Sequence, residues 1–580
     1  MPVEITLEDA YKTSTYDQDK VVSPEETVRR FRARLKAAGL DILDHTERID
    51  NGRLDIPVYF SVCGRDAHEV IGNKKQMGKG ASPAQAEASA VMELAERFSF
   101  FSFCRDASRF VVDTYANLAR EALPFEAIAR SVHDTSEDLD AARRIFEAIP
   151  MRWTRAWNLT AGREVMVPFD WFYAINEFNG PSAGNCREEA LSQGICEIVE
   201  RHVSSLVSRG KLRLPVIRPA SAQDAMVRDM LAKYTRNGIR LHVHDFTLDT
   251  GIPTVGVLAY DPTTFPASSE LVWTAGTTPS PEKALSRALS EVAQLAGDFN
   301  SNANYVASGL PKFTHLEQAA FLMHPEPSID ISSLPDLSHD NIRVEVENLV
   351  AALARRNFEV LVIDTTHPRL AIPAFYTIVP GTHFRERARG TSVGMFAAKL
   401  VVENQPPDIA LAQLKTFADL LPDRYYLRFY RGLCHLNAGR PGEALDHFQQ
   451  ALELQPETED IPSIYSYMGV CLKDTGRFRE ALAVLAKGLA VDEARTDIHN
   501  LMGFCHFQLK EHAEAIRCFE NVIRLDPGSA IDYANIASNY RDMARTAEAV
   551  RYYRMALEID PGIDFARENL ARLTGAAGVE

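Results

Sequence analysis

Two glutamates three residues apart, followed at once by an arginine, occur twice in this chain. The two copies are Glu93, Glu96 and Arg97, and Glu197, Glu200 and Arg201. Residues at i, i+3 and i+4 share one helical face, so each copy directs two carboxylates and one guanidinium toward the same region. Carboxylates hold divalent metal ions and arginines hold anions. The pair therefore predicts a site for a metal and an anion, with solvated helices carrying surface ion pairs as the alternative.

A third segment shares the context of these two copies. Residues 284–291 align with residues 190–197, and Arg287 and Glu291 form an i,i+4 pair there. Gln294 stands where the other copies have their second glutamate. Each of the first two copies also begins thirteen residues after a glycine. We therefore expect three related turn-and-helix units whose glutamate-bearing faces converge.

Composition limits the classes of function. A chain of 580 residues is too long for one core, so several domains are expected. The net charge of −16 argues against a nucleic-acid surface, which needs a basic patch. No apolar run approaches the ~18 residues of a membrane span. The eight cysteines show no CxxC pair and no zinc spacing, so we expect reduced thiols in a cytoplasmic protein.

The first two thirds of the chain alternate strands with long helices. Residues 1–20 are polar and aperiodic, which predicts a flexible lead-in. Ser23 and Pro24 have the types of an N-cap and a first helical residue. Strand-rich stretches precede the three units, at residues 58–63, 165–173 and 253–260 with 270–274. Residues 21–400 are therefore predicted to form one α/β or α+β domain built from related turn-and-helix units.

The C-terminal part repeats with a period near 34. Four segments begin at residues 425, 462, 496 and 530, with small residues at the eighth and twentieth positions. The twenty-fourth positions carry large apolar side chains that would fill the seam between paired helices. This pattern resembles the tetratricopeptide repeat (TPR), whose solenoid presents a concave face to a peptide or partner protein. We expect a packing helix at 401–424, four repeats at 425–563, and a capping helix and tail at 564–580.

Two turns precede the first two glutamate helices. The turn Gly78–Lys79–Gly80 does not have the frame of a P-loop, and by itself indicates only a surface turn. The turn at residues 182–185 offers backbone N–H groups to a phosphate or a base edge, although a capping turn fits equally. Cys186 and Cys196 flank this second unit without a histidine at a spacing that would indicate thiol catalysis.

The order of these motifs over roughly residues 20–400 resembles the YcaO family. The resemblance implies an ATP site without a P-loop. It implies Mg²⁺ ligands at Glu93, Glu96, Glu197, Glu200 and Glu291. It implies nucleotide contacts at Lys20, Thr27, Lys79, Ser182, Asn185, Glu189, Arg201 and Arg287. Arg201 and Arg287 would also act in catalysis, because they would offset the charge that develops during phosphoryl transfer.

The reaction implied by this resemblance is ATP- and Mg²⁺-dependent activation of a backbone amide in a peptide or protein. The amide oxygen is phosphorylated, and thioamidation or heterocyclisation follows as ATP is hydrolysed to ADP and phosphate. An accessory role in protein methylthiolation is also consistent with the resemblance. The chain does not end in the Pro-x-Pro-x-Pro tail of typical azoline-forming members, which disfavours a cyclodehydratase of that type.

The repeats would recruit the substrate or a partner such as a sulfur-delivery protein, and the family suggests a homodimer. The alternative is a non-catalytic TPR scaffold whose first domain senses nucleotide. A carboxylate-bridged metal hydrolase that uses no nucleotide is the third hypothesis, but it lacks the histidine ligands that it would need. No nucleic-acid or membrane partner is expected.

Overall fold

The computed structural model describes residues 4–13, 20–72, 76–301, 305, 310–323, 327–384 and 391–575. The chain divides into two compact units, the first comprising Met1–Asp134 with Glu147–Thr391 and the second Thr135–Phe146 with Ser392–Glu580. The sequence places residues 135–146 in the first domain, but they group with the second unit. The other domain boundaries stay predictions. Among the described residues, no helix combines the length and apolarity that crossing a membrane requires.

The strands are short and the helices are long. The strands are β1 Leu43–Arg48, β2 Val58–Cys63, β3 Gln76–Lys79, β4 Val111–Asp113, β5 Met151–Asn158, β6 Arg163–Pro168, β7 Pro181–Ala183, β8 Val216–Ile217, β9 Arg240–Asp245, β10 Thr254–Tyr260, β11 Val272–Thr277, β12 Ser328–Ile329, β13 Leu361–Asp364 and β14 Ala374–Ile378. The helices up to the first repeat are α1 Pro24–Ala38, α2 Arg65–Ile71, α3 Pro83–Arg105, α4 Tyr115–Leu118, α5 Phe125–Ser131, α6 Leu139–Ala148, α7 Phe169–Asn176, α8 Arg187–Gly210, α9 Ala225–Arg236, α10 Pro281–Ala296, α11 Ala320–Met323, α12 Ile342–Ala354, α13 Val393–Asn404 and α14 Pro407–Leu420. The helices of the repeat region are α15 Tyr425–Asn437, α16 Pro441–Glu453, α17 Ile461–Asp474, α18 Phe478–Val491, α19 Thr496–Gln508, α20 His512–Leu525, α21 Ala530–Asp542, α22 Thr546–Ile559 and α23 Asp564–Thr574.

The three glutamate helices each leave the end strand of a different sheet. The sheets have the orders β1-β2-β3, β11-β10-β9-β8-β12 and β4-β5-β13-β14-β7, with β6 also paired to β5. A three-residue turn joins β3 to α3, β7 to α8 and β11 to α10. The turn-and-helix units predicted from the sequence are therefore present, and each is anchored by a sheet.

Glycine allows the end strand to lie directly against its own helix. A Cβ atom on Gly78 would lie 2.1 Å from the backbone nitrogen of Ala90 in α3. A Cβ atom on Gly276 would lie 2.4 Å from the carbonyl oxygen of Ala284 in α10. No side chain fits in these gaps, so strand and helix are held as one rigid pair in the first and third units.

Most local expectations for the first unit are confirmed. Ser23 caps α1 through its side chain, which accepts a hydrogen bond from the backbone of Glu26. The strand expected at 58–63 is β2. The strand expected at 165–173 ends at Pro168 and gives way to α7. That part of the prediction was wrong because the segment is apolar apart from Asp170, and periodicity cannot separate a buried strand from a short buried helix.

The N-terminal residues 4–13 are bound to the first unit, where the sequence predicts a flexible lead-in. The backbone N–H of Ala10 donates to Asn341 Oδ1 at 2.9 Å, and that of Glu8 donates to Glu188 Oε1 at 2.8 Å. Tyr11 forms a β-bridge with Asn341. These partners lie more than 170 residues away in sequence, so local periodicity gives no sign of them.

The second unit contains the predicted repeats. Helices α15 to α22 form four antiparallel pairs, and in each of the first three the glycine at the eighth position faces the side chain at the twenty-fourth. A Cβ atom on Gly503 would lie 2.6 Å from the ring of Phe519, and Gly432 has the same relation to Phe448. Leu485 faces Gly469 in the second pair. The predicted architecture, a mixed α/β region followed by an all-α repeat region, is confirmed.

Candidate active site

One cavity of about 530 Å³ lies in the first unit and takes walls from α3, α8 and α10. This volume is in the range of small-molecule sites. Twelve of the thirteen predicted site residues line it: Lys20, Thr27, Lys79, Glu93, Glu96, Asn185, Glu189, Glu197, Glu200, Arg201, Arg287 and Glu291. The three helices therefore converge, as the repeated motif predicts.

The cavity concentrates both signs of charge in a protein of net negative charge. Its seven carboxylates are Glu93, Glu96, Glu189, Glu197, Glu200, Glu291 and Glu345. Its seven cations are Lys12, Lys20, Lys79, Arg97, Arg201, Lys283 and Arg287. A balanced set of this kind accepts an anion and metal cations together without a large change in net charge.

The α3 wall carries the first copy of the motif. Arg97 Nε lies 3.4 Å from Glu96 Oε1, and Arg97 Nη2 lies 4.0 Å from Glu93 Oε1. Arg97 Nη1 donates to the carbonyl oxygen of Phe178 at 3.0 Å. Both ends of this guanidinium are therefore engaged by the protein, and Arg97 is held in place beside its two glutamates.

The α8 wall carries the second copy in a different state. Arg201 lies 3.7 Å from Glu197 and 3.7 Å from Glu200. Its Nε is buried and has no hydrogen-bond partner among the described residues. Glu197 accepts the backbone N–H of Gly180 at 3.3 Å. Arg201 thus keeps a buried donor for a ligand, unlike Arg97.

The α10 wall joins the other two. Arg287 Nε lies 3.4 Å from Glu200 Oε2, and Arg287 Nη1 donates to Gln193 Oε1 at 2.9 Å. Lys79, the last residue of β3, forms an ion pair with Glu291. The third unit therefore contacts both other units through charged groups, which the sequence alignment of the three units does not specify.

The first turn of α8 forms another part of the wall. Glu189 accepts the backbone N–H of Val21 at 2.7 Å and the backbone N–H of Asn185 at 2.8 Å. Thr27 is buried and donates its hydroxyl to the carbonyl oxygen of Ser23 at 3.1 Å. Lys20 precedes Val21 directly, so Glu189 fixes the backbone that carries it.

Ser182 does not line the cavity. It lies on β7, is fully buried, and its Oγ would be 2.7 Å from a Cβ atom on Gly194 of α8. The prediction that Ser182 contacts the nucleotide is therefore corrected: the side chain lies under α8 and does not reach the cavity. The neighbouring Ala183 and Gly184 line the cavity instead.

The surroundings of the carboxylates of the first copy make their ionised form unfavourable. Burial raises the pKa of Glu93, and Glu197 adds to the effect while Arg97 and Lys79 oppose it. Burial also raises the pKa of Glu96 well above its usual range, with Glu197 and Glu93 adding to it. Negative charge at this place therefore costs free energy that a bound cation would recover.

The residues present fit Mg²⁺ and a phosphate-bearing ligand. Within the described residues, no three acidic, histidine or cysteine side chains are gathered as a ready-made metal site. The five predicted ligands instead share one cavity, where arginines and Lys79 balance them. Carboxylate oxygens are the ligands that Mg²⁺ prefers, and the Arg201 Nε without a partner suits an anion. The assignment of individual ligands stays a prediction.

The two cysteines beside the site are not activated. Burial raises the pKa of Cys186 and that of Cys196 to about 12. Thiol chemistry requires the thiolate. Neither residue is therefore suited to act as a nucleophile, in agreement with the absence of a histidine at a suitable spacing.

The lining includes charged and polar residues that were not predicted from the sequence, among them Lys12, Gln193, Lys283 and Glu345. Gln193 lies four residues after Glu189 and four before Glu197, and Lys283 lies four before Arg287. Extending the two helical faces by one turn would have found both. Lys12 and Glu345 come from the N-terminal segment and from α12, which no motif connects to the site.

Comparison with known proteins agrees with this geometry. Residues 77–383 match the family described as YcaO cyclodehydratase, ATP- and Mg²⁺-binding. Residues 425–458 and 495–561 match tetratricopeptide repeats. A heterocyclase in complex with substrate and cofactor has a similar fold, with a TM-score of 0.54 and 24% identity over 66% of this chain and 55% of its own.

Two relatives illustrate the range of the similarity. An uncharacterized protein of Methanothermobacter thermautotrophicus is 27% identical over 388 residues, which are 62% of this chain and 94% of that protein. The ribosomal protein S12 methylthiotransferase accessory factor YcaO of Escherichia coli is 26% identical over 309 residues. This alignment spans 49% of the present chain and 50% of the E. coli protein.

The family match covers more than half of the chain and contains the three helices that form the cavity. ATP and Mg²⁺ are accordingly the cofactors of the matched region. The chain belongs to the YcaO family and carries tetratricopeptide repeats in its C-terminal part.

Proposed function

We propose that this protein uses ATP and Mg²⁺ to activate a backbone amide in a peptide or protein substrate. The observation that carries the proposal is the convergence of three glutamate helices on one cavity. Five carboxylates and two arginines there provide the metal ligands and the cations that phosphoryl transfer requires. This reaction requires little covalent chemistry from the protein, which agrees with the finding that Cys186 and Cys196 are not activated.

The cavity residues divide into two roles under this proposal. Glu93, Glu96, Glu197, Glu200 and Glu291 would hold Mg²⁺ through their carboxylate oxygens. Lys20, Thr27, Lys79, Asn185, Glu189, Arg201 and Arg287 would form the nucleotide site. Ser182 would support α8 from beneath, since its side chain is buried under Gly194.

When bound, ATP would supply an electrophilic γ-phosphoryl group to the amide oxygen, with ADP as the leaving group, and sulfide or a side-chain thiol or hydroxyl would then displace phosphate. Arg201 would donate its Nε, which has no partner in the described structure, to the charge that develops. Arg287 is fixed by Glu200 and Gln193, and it can act on the same charge without reorganising. The buried carboxylates would repel a triphosphate that arrives without Mg²⁺.

The final product is a thioamide or a heterocycle. The name of the E. coli relative supports a further possibility, an accessory role in methylthiolation of a protein. The repeat region supports recruitment of a protein, as substrate or as a sulfur-delivery partner. None of the eight cysteines, all of which lie among the described residues, is joined in a disulfide, which supports a cytoplasmic location. A homodimer stays a prediction.

The proposal is tested by phosphate release from Mg-ATP by the full chain, before and after adding proteins captured by it. Glu197→Ala and Arg287→Ala should each reduce release by about 100-fold, the effect of removing one preorganised charge partner. Glu480→Ala, which breaks an exposed ion pair with Arg477 in the repeats, is the matched control.

Circular dichroism should show an unchanged fold in all three variants. Unchanged phosphate release in both cavity variants would contradict the proposal. Tight Mg-ATP binding without release, with every captured partner, would favour the nucleotide-sensing scaffold. Mass spectrometry of the captured proteins after ATP addition would identify the modified amide by its change in backbone mass.

A further inference from the structure

The N-terminal segment 4–13 contributes one cation, Lys12, to the cavity wall. The segment lies before the family match, which begins at residue 77. Lys12 Nζ lies 2.5 Å from Glu345 Oε1, and the two side chains are 15% and 5% exposed. This partly buried ion pair faces the same space as the residues assigned to ATP.

The backbone of the segment is fixed at Lys12 and at Ala10 before it. The N–H of Lys12 donates to the carbonyl oxygen of Asp340 at 2.8 Å. Two residues earlier, Asn341 Oδ1 accepts the N–H of Ala10. The ammonium group is therefore presented at the cavity wall by a backbone that needs no further ordering, which lowers the entropic cost of a contact with a ligand.

The same segment is tied to a residue already assigned to the nucleotide. The backbone N–H of Thr13 donates to the carbonyl oxygen of Lys20 at 2.9 Å. Glu189 holds the following residue, Val21, through its N–H at 2.7 Å. Lys12 and Lys20 thus belong to one hydrogen-bonded structure and line the cavity together.

We propose that Lys12 is a phosphate-binding residue of the ATP site in this protein, an inference that rests on the proposed function. An ammonium group has three N–H donors, and Glu345 accepts one of them. Phosphate oxygens are strong acceptors for the others. Glu345 then positions the Lys12 ammonium group at the cavity wall. It also competes in part with phosphate for the positive charge of that ammonium group.

A purely structural ion pair makes a different prediction. If the pair only fastened the segment, removing either partner would break the same interaction and affect nucleotide binding in the same direction. If Lys12 binds phosphate, loss of its charge weakens binding, whereas loss of the Glu345 charge removes a repulsion and strengthens it. The signs of the two effects therefore separate the two roles.

The test is calorimetry on the full chain, with a methylene-bridged, non-hydrolysable ATP analogue and Mg²⁺ as the probe and adenosine as its comparison. Lys12→Met should weaken binding of the analogue about tenfold, the loss of one charge-assisted hydrogen bond. Glu345→Gln should tighten it about threefold, as expected for removing one partly screened like charge. Adenosine should bind equally to all variants, because it lacks phosphate.

Two further variants control for position and folding. Lys12→Arg keeps the charge and should restore most of the affinity. Arg343→Met removes a cation that binds Asp9 of the same segment outside the cavity, at 2.8 Å, and should leave binding of the analogue unchanged.

Unchanged affinity in Lys12→Met, or weaker binding in both Lys12→Met and Glu345→Gln, would overturn the assignment of Lys12. An equal loss of adenosine binding in Lys12→Met would also overturn it, because the contact would then lie at the nucleoside. Failure of the wild-type chain to bind the analogue would instead refute the proposed function itself.

Discussion

Arg287 Nε lies 3.4 Å from Oε2 of Glu200, and this ion pair joins the second glutamate helix to the third. The same carboxylate oxygen accepts the backbone N–H of Thr277 at 3.1 Å. Arg201 approaches the other oxygen of Glu200 at 3.7 Å. One carboxylate thus orders both arginines that are proposed to act on the phosphoryl group, and its charge controls how much positive charge the cavity offers.

Glu200→Gln should change nucleotide affinity and Mg²⁺ affinity in opposite directions. The amide keeps the shape but removes one charge, so ATP without Mg²⁺ should bind more tightly while the Mg²⁺ concentration for half-maximal binding rises about tenfold. Calorimetry with ATP across a Mg²⁺ series, with chelator as the metal-free end point, measures both effects. Glu480→Gln in the repeats is the control, and an unaltered Mg²⁺ midpoint in Glu200→Gln would refute the assignment of this ligand.

The arginines of the two motif copies should differ in function. Arg97 is engaged by Phe178 and by its own glutamates, whereas the Nε of Arg201 has no partner among the described residues. Arg201→Gln should therefore reduce phosphate release by about 100-fold, as expected for an electrostatic contact with the transition state. Arg97→Gln should mainly lower the Mg²⁺ concentration that is required, because it leaves more of the negative charge of Glu93 and Glu96 for the metal to neutralise. Equal effects of both changes on release at saturating Mg²⁺ would contradict this division.

The convergence of the site was predictable because its signal is local. Glu93 and Glu96 lie one helical turn apart, and the same spacing recurs at Glu197 and Glu200. The repeats were predictable for a related reason, since small residues at fixed positions must face large ones across each helix pair.

Features that depend on contacts distant in sequence were not predictable. Lys12 reaches the cavity through hydrogen bonds between its segment and Asp340 and Asn341, and these leave no pattern in the segment itself. The burial of Ser182 depends on which face of β7 packs under α8. A strand of three residues is too short for its alternation to reveal this.

Phe519→Ala should destabilise the repeat region and leave the nucleotide site intact. Phe519 is 3% exposed and fills the space opposite Gly503. The change should lower the free energy of unfolding by about 3–5 kcal/mol, since the cavity cannot close around a missing ring. Phe565→Ala removes the same group at a site 37% exposed and should cost under about 1 kcal/mol.

Chemical denaturation followed by circular dichroism measures both repeat variants, and calorimetry with the ATP analogue checks the first unit. Since no residue that lines the described cavity belongs to the second unit, a parallel loss of nucleotide binding in Phe519→Ala would contradict this prediction.

Three histidine rings, one of them from α8, are stacked in the first unit. His133 and His383 have ring centroids 3.7 Å apart, and His202 lies 5.5 Å from His383. The backbone N–H of His383 donates to His202 Nδ1 at 3.0 Å. Burial lowers the pKa of His202 to about 4 and that of His383 to about 3. A stack of this kind requires neutral rings, because protonation would place cations against each other and near Arg209.

The first unit should therefore lose stability in acid. The pKa of histidine in the unfolded chain is about 6.5, so below that pH the unfolded state binds protons that the folded state excludes. Above about pH 6.5 these histidines do not reduce the free energy of unfolding. As the pH falls from there toward the folded-state pKa, the free energy of unfolding decreases by about 1.4 kcal/mol per pH unit for each such histidine.

His383→Phe keeps an aromatic ring in the stack and removes one titrating group. Denaturant unfolding between pH 7 and pH 4.5 should give a shallower loss of stability in this variant than in the wild type. The buried glutamates of the cavity act in the opposite direction in both proteins, so the difference between the two slopes isolates the histidine, and equal slopes would refute its contribution.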